Sequence, residues 1–138
     1  MATAADAELI LKLYELRQEE TLRKARRFLV FDFNPKTVEE LRVVSRDTKS
    51  EYNPYWRQAI SFWEMATSLV LRGAIDPELF LDSSLEGILL YAKFHHFHAE
   101  TEKQSGNPFM GKTAELIAKY PSAQARHEAF LKNFGLGK

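Results

Sequence analysis

Two stretches of the chain carry residue types at spacings that chemistry could use. Gly106-Asn107-Pro108-Phe109-Met110-Gly111-Lys112-Thr113 satisfies the phosphate-loop pattern G-x-x-x-x-G-K-S/T letter for letter. In that reading backbone N–H groups cradle phosphates, Lys112 reaches the β and γ phosphates, and Thr113 holds Mg²⁺. Leu29 to Asp32 would offer the apolar run and the acid that support such a metal. The surroundings oppose it. A phosphate loop follows a buried strand, whereas the preceding HFHAETEKQS reads as the polar end of a helix. Pro108, Phe109 and Met110 would crowd a loop that must wrap a nucleotide. Gly106 is therefore expected to end one helix and Asn107-Pro108 to begin the next. Gly106, Gly111, Lys112 and Thr113 are kept as a remote nucleotide-binding alternative.

The second stretch holds His95, His96 and His98. On a continuous helix Tyr91, His95, His98 and Glu102 share one face, and His96 and Glu100 another. Metal sites on helices use this kind of spacing, so His95, His98 and Glu102 are the candidate ligands. Neither H-E-x-x-H nor E-x-x-H occurs, and Glu64, the only acid inside its helix, has no companion three or four residues away. His95 and His96 also border the Leu85, Ile88, Leu89, Ala92, Ala99 stripe, where core and boundary histidines are the commoner outcome. A small-ligand or metal site beside this helix is the alternative function.

A third group, Arg23, Lys24, Arg26 and Arg27, could meet phosphates. With Glu15, Glu19 and Glu20 close in sequence it also reads as an ordinary solvated helix face. Nineteen basic residues balance nineteen acidic ones, so no global field draws in nucleic acid. There is no G-x-S-x-G and no cysteine, hence no thiol nucleophile, disulfide or thiolate metal site. No catalytic residue is assigned, no cofactor is expected, and an enzymatic activity is not expected.

These residues must be positioned by helices. Pro54 to Gly73 is apolar on most of its circumference, with Trp56, Ile60, Trp63, Ala66 and Val70 on one stripe and Tyr55, Ala59, Phe62, Met65 and Leu69 beside it. A helix of that kind is buried by several neighbours. Asn53-Pro54 is a start signal and Gly73 fits a left-handed stop. All five prolines sit at expected helix boundaries, four of them after an Asn or Asp that can cap.

A long first helix is expected over Ala5–Val30, roughly 39 Å at 1.5 Å per residue. It would overhang the body and offer a place for self-association. Glu19–Arg23 and Glu20–Lys24 are spaced as i,i+4 pairs along it. The run Phe28 to Phe33 reads as a helix end and apolar turn, since a lone strand has nothing to pair with. Short helices follow over Pro35–Ser45 and Pro77–Leu81. Ser83-x-x-Glu86 reads as a capping box opening a helix to about Gln104. The last helices run from Asn107 to near Tyr120 and from Ser122 to Phe134.

The residues Phe62-Trp63-Glu64, Leu69-Val70, Gly73-Ala74-Ile75-Asp76, Ser105-Gly106-Asn107-Pro108 and Glu115-Leu116 resemble a bacterial family of small all-helical proteins of unknown function. The likeness spans Arg57 to Tyr120, about half the chain. It implies an all-helical fold, no assigned activity, and a turn rather than a nucleotide loop at Gly-Asn-Pro.

The chain is thus expected to be a single all-α domain over 1–138, a five- or six-helix bundle around a buried central helix at about 54–73. It lacks the basic start and apolar core of a signal peptide, and no apolar run approaches the roughly 20 residues that span a bilayer. The expected role is a non-enzymatic, cytoplasmic protein-interaction or regulatory module, a homodimer or a binder of another protein, with no nucleic acid or membrane as partner.

Overall fold

The computed structural model describes residues 1–137. Among them every regular element is helical: nine α-helices, a π-helical turn and a short 3₁₀ turn. The helices are α1 (Ala4–Arg17), α2 (Glu20–Arg27), α3 (Val38–Ser45), α4 (Asn53–Leu71), α5 (Pro77–Ser83), α6 (Glu86–Phe94), α7 (Ala99–Ser105), α8 (Gly111–Lys119) and α9 (Pro121–Asn133). The all-helical class agrees with the sequence reading, but the helices are more numerous and shorter than five or six.

α4 follows its sequence pattern most closely. Trp56, Ala59, Trp63, Ala66 and Val70 are buried, and Tyr55, Ile60, Phe62 and Leu69 pack against the core around them. Met65 departs from its stripe and is exposed. The helix packs on α2, α3, α5, α6, α8 and the π turn. Gly73 closes it in the left-handed region at φ 86°, and the Gly73 and Ala74 N–H groups donate to the Val70 and Leu69 carbonyls. Asn53 does not cap α4. Its Nδ2 donates to the Val44 carbonyl at 2.8 Å and its Oδ1 accepts from Arg57 Nε at 2.8 Å, which locks the end of α3 to the start of α4.

The single helix expected over Ala5–Val30 is broken. Gln18 ends α1, and Glu19 turns extended (φ −58°, ψ 139°) to become the N-cap of α2. Its carboxylate accepts from the Thr21 and Leu22 N–H groups at 3.0 and 2.9 Å. These two bonds hold the Glu19 carboxyl below its ordinary pKa. The break sends α1 onto α5 and α2 onto α4, so the overhang does not exist. It also diverts Glu19 from Arg23, whereas Glu20–Lys24 forms at 3.1 Å.

Residues Phe28–Asp32 continue α2 as a π turn, with the Phe33 N–H donating to the Phe28 carbonyl at 2.8 Å. The helix end read from the sequence is there. α3 begins at Val38 rather than Pro35 because Thr37 is its cap, accepting from the Glu40 N–H at 3.1 Å while the Glu40 carboxylate accepts from the Lys36 N–H. Asp76 caps α5 through the Leu79 N–H. The box read at Ser83–Glu86 does not form: Ser83 ends α5, and Leu85 precedes α6 without a side-chain cap. Nor does α6 run to Gln104. It stops at Phe94, passes through the 3₁₀ turn His95–Phe97, and restarts as α7.

Candidate functional site

The His95–Thr113 segment shows first what the broken helix does to the two motifs. The 3₁₀ turn takes His95 and His98 off a common helical face. His95 Nε2 meets Glu102 Oε2 at 3.0 Å. His98 turns away: its Nδ1–H donates to the Phe94 carbonyl at 3.0 Å, and its ring lies on Phe109 at 4.1 Å between centroids and 2° between planes. Trp56 packs against both rings, 5.9 Å from Phe109 and 6.4 Å from His98 between centroids. Burial lowers the His98 pKa, which favours the neutral ring, and the bond to the Phe94 carbonyl puts a proton on Nδ1. Glu102 Oε1 accepts from the Phe109 N–H at 2.7 Å. Burial alone would raise the Glu102 pKa, but that N–H and His95 outweigh it and the net shift is downward. Of the three candidate ligands, then, the structure joins His95 and Glu102 and separates His98. Among the described residues no three His, Asp or Glu groups converge as a metal site.

In the phosphate-loop match, Gly106 does close α7 at φ 75°. The next helix begins at Gly111, not at Asn107-Pro108, after Met110 takes a left-handed backbone at φ 46°. Gly111 sits under Pro108, where a Cβ would lie 2.9 Å from the proline ring. The amides at the start of α8 are occupied. Glu64 of α4 accepts from the Lys112 N–H at 3.0 Å, the Thr113 N–H at 3.0 Å and the Thr113 hydroxyl at 2.7 Å. A helix N-terminus attracts an anion, and here that anion is the protein's own carboxylate. Lys112 is exposed and Thr113 fully buried. The signal for this clamp was the isolated acid in an otherwise apolar helix.

The basic cluster on α2 proves to be more than a solvated face. Arg26 grips Glu86 of α6 with both branches of its fork, Nε at 2.7 Å and Nη2 at 3.2 Å, and donates Nη1 to the Arg17 carbonyl at 3.3 Å. Trp63 Nε1 donates to the same Glu86 at 2.8 Å. Arg17 lies beside this group, its pKa lowered by burial and by Arg26. Arg23, Lys24, Arg26, Arg27, Val30, Phe31 and Glu86 line a cleft of about 400 Å³ between α2 and α6.

Sequence reasoning missed Lys93. It lies within the apolar run of α6 and is buried, donating to the Leu29 and Val30 carbonyls at 2.8 and 3.2 Å. Burial lowers its pKa to about 8. The π turn leaves these carbonyls without the helical partners they would otherwise have, and Lys93 satisfies them.

α1 carries four exposed large apolar side chains, Leu9, Leu11, Tyr14 and Leu16. Leu13 is buried and Ile10 packs on the core, but Leu11 is 68% exposed and Tyr14 54%, with Leu9 and Leu16 partly open on the other flank. Beside Leu11 and Tyr14, a crevice of about 130 Å³ is lined by Ile10, Leu13, Arg17, Trp63, Ser83 and Ser84. No described helix is long and apolar enough to cross a membrane.

Compared with known proteins, residues 2–120 match the family model described as a domain of unknown function, DUF4760, and the chain belongs to that family. Two curated proteins, each called TATA-binding protein-associated factor mot1 and each from a strain of Aspergillus fumigatus, are 25% identical over 111 residues. Those residues are 80% of this chain, which spans only 6% of the length of these curated relatives. No solved structure matches significantly.

Proposed function

We propose that this DUF4760 member is a non-enzymatic interaction module that pairs with a second copy of itself through α1. In this reading residues 1–138 are one domain, α4 is the helix round which the others are organised, and the module works in the cytoplasm, a reducing compartment that a chain without disulfides fits. The observation that carries the reading is the open edge of α1. Leu11 and Tyr14 project there beside an apolar crevice. A surface with both a projection and a recess can be self-complementary about a two-fold axis. Large apolar side chains clustered on one edge mark association surfaces, whereas scattered ones do not.

Neither motif-based alternative gains support. Glu64 holds the amides that a phosphate would need at Lys112 and Thr113, and His98 is turned from the His95–Glu102 pair. Light scattering across a concentration series tests the proposal. The expected mass is twice the 15.9 kDa of the chain, falling to the monomer in Leu11→Glu with helicity unchanged. A strict monomer at high concentration would remove the self-association.

A further inference from the structure

The cleft between α2 and α6 gathers more positive charge than the fold uses. Arg26 is fully engaged: its fork holds Glu86 and its remaining branch holds the Arg17 carbonyl. Glu86 is equally engaged, accepting from Arg26 and from Trp63. Lys24 pairs with Glu20, an exposed contact of little strength. Arg23 and Arg27 are left. They stand four residues apart on α2 and line the same cleft. Both are exposed, and among the described residues neither has an acidic oxygen within 4 Å. Like charges at this spacing destabilise a helix slightly, a cost an anion between them would relieve.

The rest of the cleft is apolar in a way the charge does not explain. Val30 is half-buried, and Phe31 is 70% exposed at the edge. The attraction of α2's C-terminal end for cations accounts for basic residues there, but not for an aromatic ring left in water beside them. The volume, about 400 Å³, falls in the range of small-molecule sites. The chain is neutral overall, and Glu19 and Glu20 flank the start of α2, which disfavours an extended polyanion such as nucleic acid.

We propose that this cleft binds a phosphomonoester joined to an apolar or aromatic group, its phosphate held between the Arg23 and Arg27 guanidinium groups and its apolar part laid on Val30 and Phe31. Planar guanidinium forks match phosphate oxygens two at a time. The same chemistry is offered by a soluble phosphorylated metabolite and by a phosphomonoester lipid headgroup. The site shares no residue with the α1 edge, so it stands or falls independently of pairing.

The test uses three probes on the full chain: phenyl phosphate and inorganic phosphate by titration calorimetry, and phosphatidylcholine vesicles with and without phosphatidic acid by co-sedimentation. Phenyl phosphate is expected to bind more tightly than inorganic phosphate. Phe31→Ala should reduce that advantage, and Arg23→Gln/Arg27→Gln should weaken phenyl phosphate by about tenfold or more. Lys36→Gln, an exposed cation elsewhere, should leave it unchanged. Binding to phenyl phosphate assigns a soluble ligand, and binding only to phosphatidic acid vesicles assigns the headgroup, provided Arg23→Gln/Arg27→Gln abolishes it. Because both arginines are exposed and unpaired, the double variant should fold. If its melting temperature falls, Arg23→Lys/Arg27→Lys, which keeps charge but loses the fork, takes its place and should weaken binding. Absence of binding to every phosphate probe, or binding unchanged in the double variant, overturns the proposal. Repeating the titration in Leu11→Glu separates this outcome from failure of self-association.

Discussion

The two ends of α6 are held in opposite ways. At its start Glu86 bridges Arg26 of α2 and Trp63 of α4, and Gly87 packs so closely on Trp63 that a Cβ would lie 3.2 Å from the Trp63 Cβ and 3.5 Å from the indole. Three helices meet there, and the polar contacts sit on top of buried apolar area. At its end α6 gives way to a 3₁₀ turn, and α7 packs chiefly on that turn. What fixes α7 is one side chain, Glu102, reaching His95 and the Phe109 amide. A helix continues while neighbours bury its face. α6 breaks just past the fully buried Phe94, where His96 and Glu100 are exposed, and polar side chains take over.

The comparison is broken most directly at Trp63, which is 1% exposed. Trp63→Ala removes the indole from the junction of α2, α4 and α6 and leaves Glu86 Oε2 with only its Arg26 Nε donor. The expected loss is about 3–5 kcal/mol, the range for deleting a buried aromatic side chain, read from urea unfolding. A loss under about 1 kcal/mol would show that the α6 start is no better anchored than its end.

Glu102→Gln tests the other end. The amide keeps the side chain's size but loses the charge that both donors meet. Hydrogen exchange across Ala99–Ser105 should accelerate strongly, while global stability changes by less than about 1 kcal/mol, because α7 opens locally without unfolding the body. An equal loss of global stability would make α7 part of the same cooperative unit as α4 and α6, and would erase the contrast.

The same contrast explains which parts of the molecule were legible in the sequence. α4 was readable because apolar residues cover most of its surface and Gly73 marks its end. Asp76 was readable as a cap because it meets a proline that starts a helix. The break at Gln18–Glu19 was not, since a glutamate is an uncommon N-cap and the apolar stripe runs on through it. One letter pattern, S/T-x-x-E, shows the difficulty well. At Thr37–Glu40 it makes the cap, and at Ser83–Glu86 it does not, because Glu86 has a charged partner sixty residues away in Arg26. The histidine face failed for a related reason. Placing His95, His98 and Glu102 together assumed a continuous helix, and continuity depends on the tertiary neighbours that local spacing does not encode. Lys93 and Glu64 were visible only as charges out of place in apolar helices. Their partners, a π turn and the start of α8, are products of the fold.

The smallest expected effect is a pH dependence centred on the weaker end. His98 is desolvated against Phe109 and Trp56, which lowers its pKa. The Phe94 carbonyl and Glu102 favour its charged form, and His95 and Arg46 oppose it, with the net shift downward. Burial lowers His127 as well, with His95 adding to the effect. In the unfolded chain these rings titrate near the ordinary histidine value of about 6.5. As pH falls through that value the unfolded state takes up protons that the folded state refuses, so stability falls with pH from neutrality down toward the folded pKa values. Glu102, with its lowered pKa, adds loss only further down, below the ordinary carboxylate range. Urea midpoints measured from pH 7.5 to 5.5 should therefore decline. His98→Phe, which keeps a ring on Phe109 but cannot titrate, should make the decline shallower, whereas Glu102→Gln should not. A flat profile in the unmodified protein would mean that these histidines titrate alike in both states. The packing of His98 against Phe109 would then be too loose to exclude water, and the end of α6 would be weaker still than its hydrogen bonds imply.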